Sequence, residues 1–430
     1  MSDFVNLLRR NRNYRATWTG QVVSEVGDHF NNIAVFSLAL DNTKSGMVVT
    51  FIMLSRAIPA IMAGPMAGVV LDRFDRKRIM IASDLIRAVV ALAFILAIPR
   101  AHTWLLYPLS GLLMFASPFF TSGRSSILPT IATDDELHTA NSLTQTTQWT
   151  TLTIGAFLGG ISVKLGYEWA FFFNALSFLF SAACISTLKA PKGEFRAKRD
   201  ELDEAHVVQP FREYTEGLRY MRSRPLILGI VLIAVGWATG GGAAQILFSL
   251  FGELVFHRGA LGIGYLWGSA GIGLLVGGAY AHWLGKRITF AGYKRTVVIC
   301  YVLHGGAYVV FSQMRQFWLA MIFIGLSRAA VAVSSVLNMA QLLRHVSDEF
   351  RGRVFATLET MTWAMMMVSM MGAGVASMHY SPRVIGAAAG LLSSTTAIWW
   401  GWANWTGRLP EPELSATDID ELEVHGDPVR

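Results

Sequence analysis

Gln21, Glu25, Asp28 and Asn32 follow one another at spacings of 4, 3 and 4, which sets them on one face of an α-helix. Ser24 and Asn31 flank that face, while Val22, Val23, Val26 and Ile33 lie off it. An ionisable group at membrane depth costs at least ~2.5 kcal/mol on insertion scales, so it normally faces a cavity and has a partner. The face therefore reads as the polar wall of a central substrate pathway, with Asp28 or Glu25 as a candidate protonation site. The competing reading is a structural network between helices. Arg56 is a candidate partner for Asp28. The turn between the first two spans centres near residue 43 or 44, and at 1.5 Å per residue the depths of Asp28 and Arg56 differ by only ~5 Å. Arg56 serves equally as a fixed structural partner or as a ligand for an anionic substrate group. Arg328, near mid-depth in the tenth span with no acid nearby in its own helix, is the second-half candidate for the substrate cavity or for coupling. Asp84 and Arg87, three apart, suit an intrahelical pair.

A second constellation lies between spans 2 and 3, where Gly68 is followed by Asp72, Arg73, Asp75, Arg76, Lys77 and Arg78. Asp72 is a carboxylate at a helix end, suited to meet the positive N-terminus of another helix. Arg73 and the cluster from Arg76 to Arg78 suit carbonyls or acids on neighbouring spans. Contacts of that kind would latch two halves of a molecule together on one side; the plainer role for the basic residues is to set topology.

These groups are positioned by a chain that lacks the charge to coat a water-facing surface. Only 15% of the 430 residues are charged and 53% are hydrophobic, against about 25% charged in soluble proteins. The mean hydropathy is +0.43. The apolar residues fall in blocks near the roughly 20 residues that cross a bilayer core, at 16–41, 47–71, 79–98, 103–123, 142–164, 168–188, 226–251, 260–284, 296–313, 317–343, 354–378 and 384–405. Placing both termini in the cytoplasm puts 27 basic residues on the inside and 6 on the outside, the positive-inside pattern. The net charge of +7 is accounted for by these loops, and no nucleic-acid partner is expected.

Six spans, a long polar connection and six more make a symmetric layout. Phe36-Ser37-Leu38 recurs 212 residues later as Phe248-Ser249-Leu250, consistent with parallel repeats about an axis along the membrane normal. In the connection, Val207, Phe211, Tyr214, Leu218 and Met221 form a helical apolar stripe, expected to lie in the membrane interface and tether the halves. The tail after Pro410 is acidic and aperiodic, and is expected to be disordered. Cys184 and Cys300 sit singly within apolar blocks, so neither a disulfide framework nor a metal site is expected. The string Gly271-Ile-Gly273 lacks the strand and βαβ unit of a nucleotide loop, and no cofactor is expected.

The stretch Gly68-Val-Val-Leu-Asp72-Arg73-Phe-Asp75-Arg76-Lys77-Arg78 resembles the signature loop of the major facilitator superfamily, with Asp75 where the commonest pattern has Gly. Gly27-Asp28, Asp84-Leu-Ile-Arg87-Ala88, Ala140-Asn141-Ser142-Leu143, Gly155-x-x-x-Gly159-Gly160 and Arg351-Gly352-Arg353-Val354 look like the branch that holds macrolide-efflux and enterobactin-exporter proteins. Ala156 follows Gly155 where an antiporter-type motif would place Pro. The resemblance implies an all-α membrane protein of twelve transmembrane helices in two six-helix pseudo-symmetric bundles. It implies no enzyme but a monomeric transporter in the cell membrane, exporting an amphipathic small molecule by alternating access at the expense of protons or another ion. The expected organisation is 1–188 for the first bundle, 189–224 for a cytoplasmic linker, 225–405 for the second bundle and 406–430 for a cytoplasmic tail. A facilitator or importer of a lipid-like or anionic metabolite, or a non-transporting membrane sensor, are the other readings.

Overall fold

The computed structural model describes residues 2–189, 195 and 210–411. Among these every regular element is helical. A short α1 (Ser2–Arg10) precedes α2 (Arg12–Thr43), α3 (Gly46–Arg73), α4 (Arg76–Ala93), α5 (Leu106–Ile131), α6 (Asp134–Ser162) and α7 (Tyr167–Ser186). After α8 (Pro210–Ser223) come α9 (Pro225–Leu250), α10 (Gly259–Gly285), α11 (Phe290–Gln313), α12 (Phe317–His345), α13 (Asp348–Ala376) and α14 (Pro382–Trp405). A π-helical turn, Phe251–Val255, extends α9. Among the described residues ten helices are long and apolar enough to cross a membrane. α2 and α6 fall outside that set because they carry the polar face of span 1 and the Thr- and Gln-rich stretch from Thr144 to Thr153.

The helices overrun the apolar blocks where polar residues cap them. Asn11 starts α2 by accepting from the Tyr14 N–H at 2.9 Å, and its amide donates to Ile131 O at 2.6 Å, tying α2 to the α5–α6 turn. Thr133 and Glu136 form a capping box that starts α6 eight residues before the expected 142. Asp75, at the position that departs from the family pattern, caps α4 through Arg78 N. Its other oxygen accepts from Phe195 N at 3.1 Å while Arg76 N donates to Phe195 O. The Phe195 ring is buried with Met80, Phe120 and Ile127, so this acid also pins the start of the linker.

The two parts of the chain use the same pairings. α2 packs on α6 and α7, α3 on α5, and α4 on α5 and α7; in the second part α9 packs on α13 and α14, α10 on α12, and α11 on α12 and α14. Between the parts, α6 lies along α10, and glycines make this seam close: a Cβ on Gly160 would meet Ala260 O at 3.0 Å. α3 and α13 touch near the Lys44 end, where Gly374 faces Thr50 and Gly46 faces Ser377.

Burial follows the same division. At the Lys44 end one apolar cluster draws on both parts, including Phe36, Leu38 and Ile52 with Phe248, Phe251 and Phe311. At the α8 end the clusters separate. Met80, Phe120 and Ile127 belong to one, Leu7 and Tyr14 to another, and Ile227, Tyr293 and Trp400 to a third drawn from the second part of the chain.

Over α8 part of the linker stripe packs on the protein. Met221 is buried against the protein, Tyr220 stacks on Phe350 at 4.5 Å, and Arg353 pairs with Glu216 at 3.3 Å. α8 thus packs on α13. Val207 and the acidic tail beyond Glu411 lie outside the described residues.

Candidate functional site

The separation of α3 from α13 leaves a cavity of about 800 Å³. α2 contributes His29, Asn32, Ile33 and Phe36 to its wall, and α3 contributes Met53, Arg56 and the turn beyond as far as Ile61. The facing wall is α13, whose Ala356, Glu359, Thr360, Trp363, Met367 and Met370 recur at helical spacing along one stripe. Gln245, Trp267, Leu152 and Met114 fill the corners. Most of this surface is thioether, aromatic or aliphatic, with a few polar groups at fixed points, which is the make-up of a small-molecule pocket.

The polar face of α2 divides along its length. Toward the α8 end it is a network between helices: Gln21 Nε2 donates to Glu25 Oε1 at 2.7 Å, Thr151 Oγ1 donates to Glu25 Oε2 at 2.7 Å, and Arg124 Nη1 lies 3.8 Å from Glu25 Oε1. The apolar block ending at 123 leaves Arg124 just outside a span. The polar run from Thr121 to Ser126 lowers the hydropathy there, but α5 continues through it to Ile131, so Arg124 stands on a helix and faces Glu25. Further along, Asn32 faces the cavity, joined by His29. His29 packs against Gly155, whose Cβ would sit 2.8 Å from the imidazole Cδ2.

Asp28 is half-buried between these regions and makes no hydrogen bond or ion pair among the described residues. The expected Asp28–Arg56 partnership is not a contact pair here. The two charges interact through space, but the Arg56 guanidinium turns to Met114 Sδ at 3.9 Å and lies 5.8 Å from the centre of the Phe36 ring. Arg328 does not line the cavity. It is 8% exposed and sits 5.2 Å over Phe248, the residue that echoes Phe36 in the second part of the chain. Beside it, His304 Nδ1 and Ser327 Oγ are 2.7 Å apart. Asp84 and Arg87 form the intrahelical ion pair expected of them, with Arg87 held between Phe120 and Phe178.

The signature loop lies at the α8 end. Gly68 has open space where a Cβ would be, and Asp72, Arg73 and Arg78 are exposed. Arg76 Nη1 donates to Ser126 O and Lys77 Nζ to Leu188 O, each at 2.8 Å. These two cations are therefore committed to carbonyls of the first part of the chain, whereas Asp72 makes no hydrogen bond or ion pair among the described residues. At the opposite end a polar cluster bridges the two parts: Ser37 Oγ lies 3.2 Å from Tyr167 OH and 3.5 Å from Glu253 Oε2, and Lys44 Nζ lies 3.9 Å from Glu253 Oε1. Glu253 stands on the π-turn that ends α9.

The wall supplied by α13, α9 and α10 carries few groups that mark it in sequence. Trp363, Trp267 and Gln245 resemble residues found anywhere in membrane helices, and methionines such as Met367 and Met370 suit lipid-facing packing equally well in sequence. A count of every third and fourth residue from Ala356 finds the stripe, but its direction depends on the packing of α9 behind it.

A family model described as Major Facilitator Superfamily matches residues 17–293. An uncharacterised MFS-type transporter, YfiS of Bacillus subtilis (strain 168), is 27% identical over 230 residues, covering 53% of this chain and 54% of that protein; this match spans about half the length of the relative. The putative bacilysin exporter BacE of Bacillus subtilis is 24% identical over 79% of this chain and 82% of its own. Macrolide efflux protein A of Streptococcus pyogenes is 22% identical over 79% of this chain and 83% of its own. Among solved structures, a bacterial homologue of the lysosomal transporter Spinster, inward-facing and unoccupied, superposes with a TM-score of 0.69 at 14% identity, covering 94% of this chain and 100% of that one. A bacterial homologue of the iron transporter ferroportin, also inward-facing, gives 0.66 at 15% identity, covering 90% and 98%. At these identities the structures establish likeness of fold alone.

Proposed function

The chain belongs to the Major Facilitator Superfamily, and from that premise we propose that it is a secondary active transporter that exports an amphipathic small molecule by alternating access. It is a multi-pass membrane protein of a transport family and not an enzyme. In our reading α2–α7 and α9–α14 are two pseudo-symmetric bundles of six spans each, α8 belongs to the linker, and the α8 end faces the cytoplasm. The distribution of basic residues, 27 against 6, supports that orientation.

The observation that carries the reading is the one-ended cavity. Its walls meet at the Lys44 end through a shared apolar cluster and part at the α8 end, where the clusters are separate. This arrangement suits substrate entry from the cytoplasm. Transport then requires the reverse state. The α6–α10 seam, close enough for backbone contact at Gly160 and Gly264, is the axis about which the bundles rock. The Ser37–Glu253–Lys44 cluster would open while the signature loop closed. Methionine and aromatic walls accept varied apolar shapes, and two relatives bear exporter or efflux names. The driving force we assign is a proton gradient or that of another ion.

An efflux panel of amphipathic dyes and antibiotics tests this. Expression in a strain stripped of its own exporters should lower the cell content of at least one compound, and the purified protein should move that compound across liposomes. Absence of flux for every compound in both assays would overturn the reading. In the closed state Asp72 would meet the N-terminus of a helix of the other bundle. Asp72→Asn removes that charge without changing volume at an exposed position, so turnover should fall severalfold while the thermal midpoint holds. Unchanged turnover would reduce the loop to a topology signal.

A further inference from the structure

We propose that Arg56 is the anchor for a single acidic group on the transported molecule, so that the cavity takes monoanionic amphipaths. The inference rests on the transport reading and goes past it to the substrate's charge. A guanidinium in the middle of a membrane span is costly without a counter-charge. Among the described residues Arg56 has no carboxylate within 4.0 Å, and its one hydrogen-bond partner is the weak acceptor Met114 Sδ at 3.9 Å. None of its nitrogens is both buried and unpartnered, so the donors not spent on Met114 reach open space, and the open space at this depth is the cavity it lines. The contrast with the other intramembrane arginines is direct. Arg87 is paired with Asp84, Arg124 lies beside Glu25, and Arg328 is enclosed over Phe248 away from the cavity. Of the four, Arg56 alone presents its fork to a ligand, and a planar fork suits a carboxylate or phosphate better than a point charge does.

The rest of the wall limits the ligand to one acid. From Arg56 toward the α8 end the surface is mostly apolar, with His29 and Thr360 as its neutral polar groups, until Glu359, a carboxylate with no ion-pair partner among the described residues. Thr50 faces Gly374 and Gly46 faces Ser377, so the antiparallel α3 and α13 set Arg56 level with Val368. Glu359 lies nine residues nearer the α8 end, about 13 Å at 1.5 Å per residue. A molecule seated on Arg56 would run its apolar body along Met367 and Trp363. A second anionic group at its far end would meet Glu359 and be repelled.

The test uses dansyl-phenylalanine, an aromatic monoanion, and its neutral methyl ester. Binding to the purified full chain is read from dansyl emission excited through tryptophan. Trp267 and Trp363 line the cavity, and Trp363→Phe should lower the signal for both probes. The acid should bind about tenfold more tightly than the ester, and Arg56→Gln should bring the two within about twofold by weakening the acid alone. Arg56→Lys keeps the charge but loses the fork, and should retain part of the preference; with the wild-type comparison it decides the matter if Arg56→Gln does not fold. Equal binding of acid and ester to the wild type, or a preference that survives Arg56→Gln, overturns the anchor. If both probes then still bind and Trp363→Phe still lowers their signal, the cavity remains a transport pocket; if neither binds, the cavity reading fails with it. A lipid headgroup and a free amphipath share the chemistry proposed. Displacement of the acid by phosphatidylglycerol but not phosphatidylcholine assigns the anion to lipid, and no displacement assigns it to the soluble molecule.

Discussion

Cysteines at positions 50 and 374, in a chain with Cys184 and Cys300 replaced, are expected to oxidise to a disulfide that brings transport down to the rate of protein-free liposomes. The Cβ of a residue at 374 would sit 2.8 Å from that of Thr50, close enough that a small relaxation reaches the usual Cβ separation of about 3.8 Å. This is one of the contacts that join α3 to α13 beyond the cavity. If the molecule releases substrate on the Lys44 side, these helices must part there, and a covalent bond forbids it. A reductant should restore the flux, and the two single-cysteine variants should transport in either redox state. The single variant at 374 also measures whether a side chain is tolerated against Thr50, which separates crowding from locking. Flux that continues with the disulfide intact would mean that α3 and α13 do not separate at this end, and alternating access through this cavity would be wrong.

The outcome at α2 shows what periodicity can and cannot carry. Spacings of 4, 3 and 4 place Gln21, Glu25, Asp28 and Asn32 on one face, because the helical repeat is a local property of the backbone. What that face meets is set by neighbours far away in sequence. Thr151 and Arg124 claim Glu25, while the cavity claims Asn32. Arg56 and Arg328 looked alike as buried cations. Rotation about their helices turns one into the cavity and the other onto Phe248, and depth counting along a chain does not fix rotation. Asp75 appeared as a departure from a family pattern, and its contact with Phe195 depends on where the linker returns. The wall contributed by α13 stayed hidden for a different reason: methionine and tryptophan look the same in sequence whether they face lipid, protein or substrate.

The division along α2 separates two carboxylates that sequence alone left equivalent. Glu25 accepts from Gln21 and Thr151 and lies beside Arg124, so adding a proton to it would break contacts that hold α2, α5 and α6 together. Asp28 has no such contacts among the described residues, and it interacts through space with Arg56 and Arg87. A proton arriving at Asp28 changes the charge around Arg56 without dismantling helix packing, which is what a coupling site beside a substrate anchor requires. Asp28→Asn should therefore abolish accumulation against a gradient in liposomes carrying an imposed pH difference, while exchange down the substrate's own gradient persists. Glu25→Gln should behave differently. It should keep uphill accumulation and lower the thermal midpoint, since a buried donor loses its charged acceptor at a cost of about 1–3 kcal/mol. Uphill flux retained in Asp28→Asn would remove Asp28 from the coupling path. Uphill flux in the wild type with no pH difference would remove protons altogether, and a sodium gradient would be imposed next. Asn matches Asp in volume, so a loss of coupling with the thermal midpoint unchanged isolates the charge as the cause.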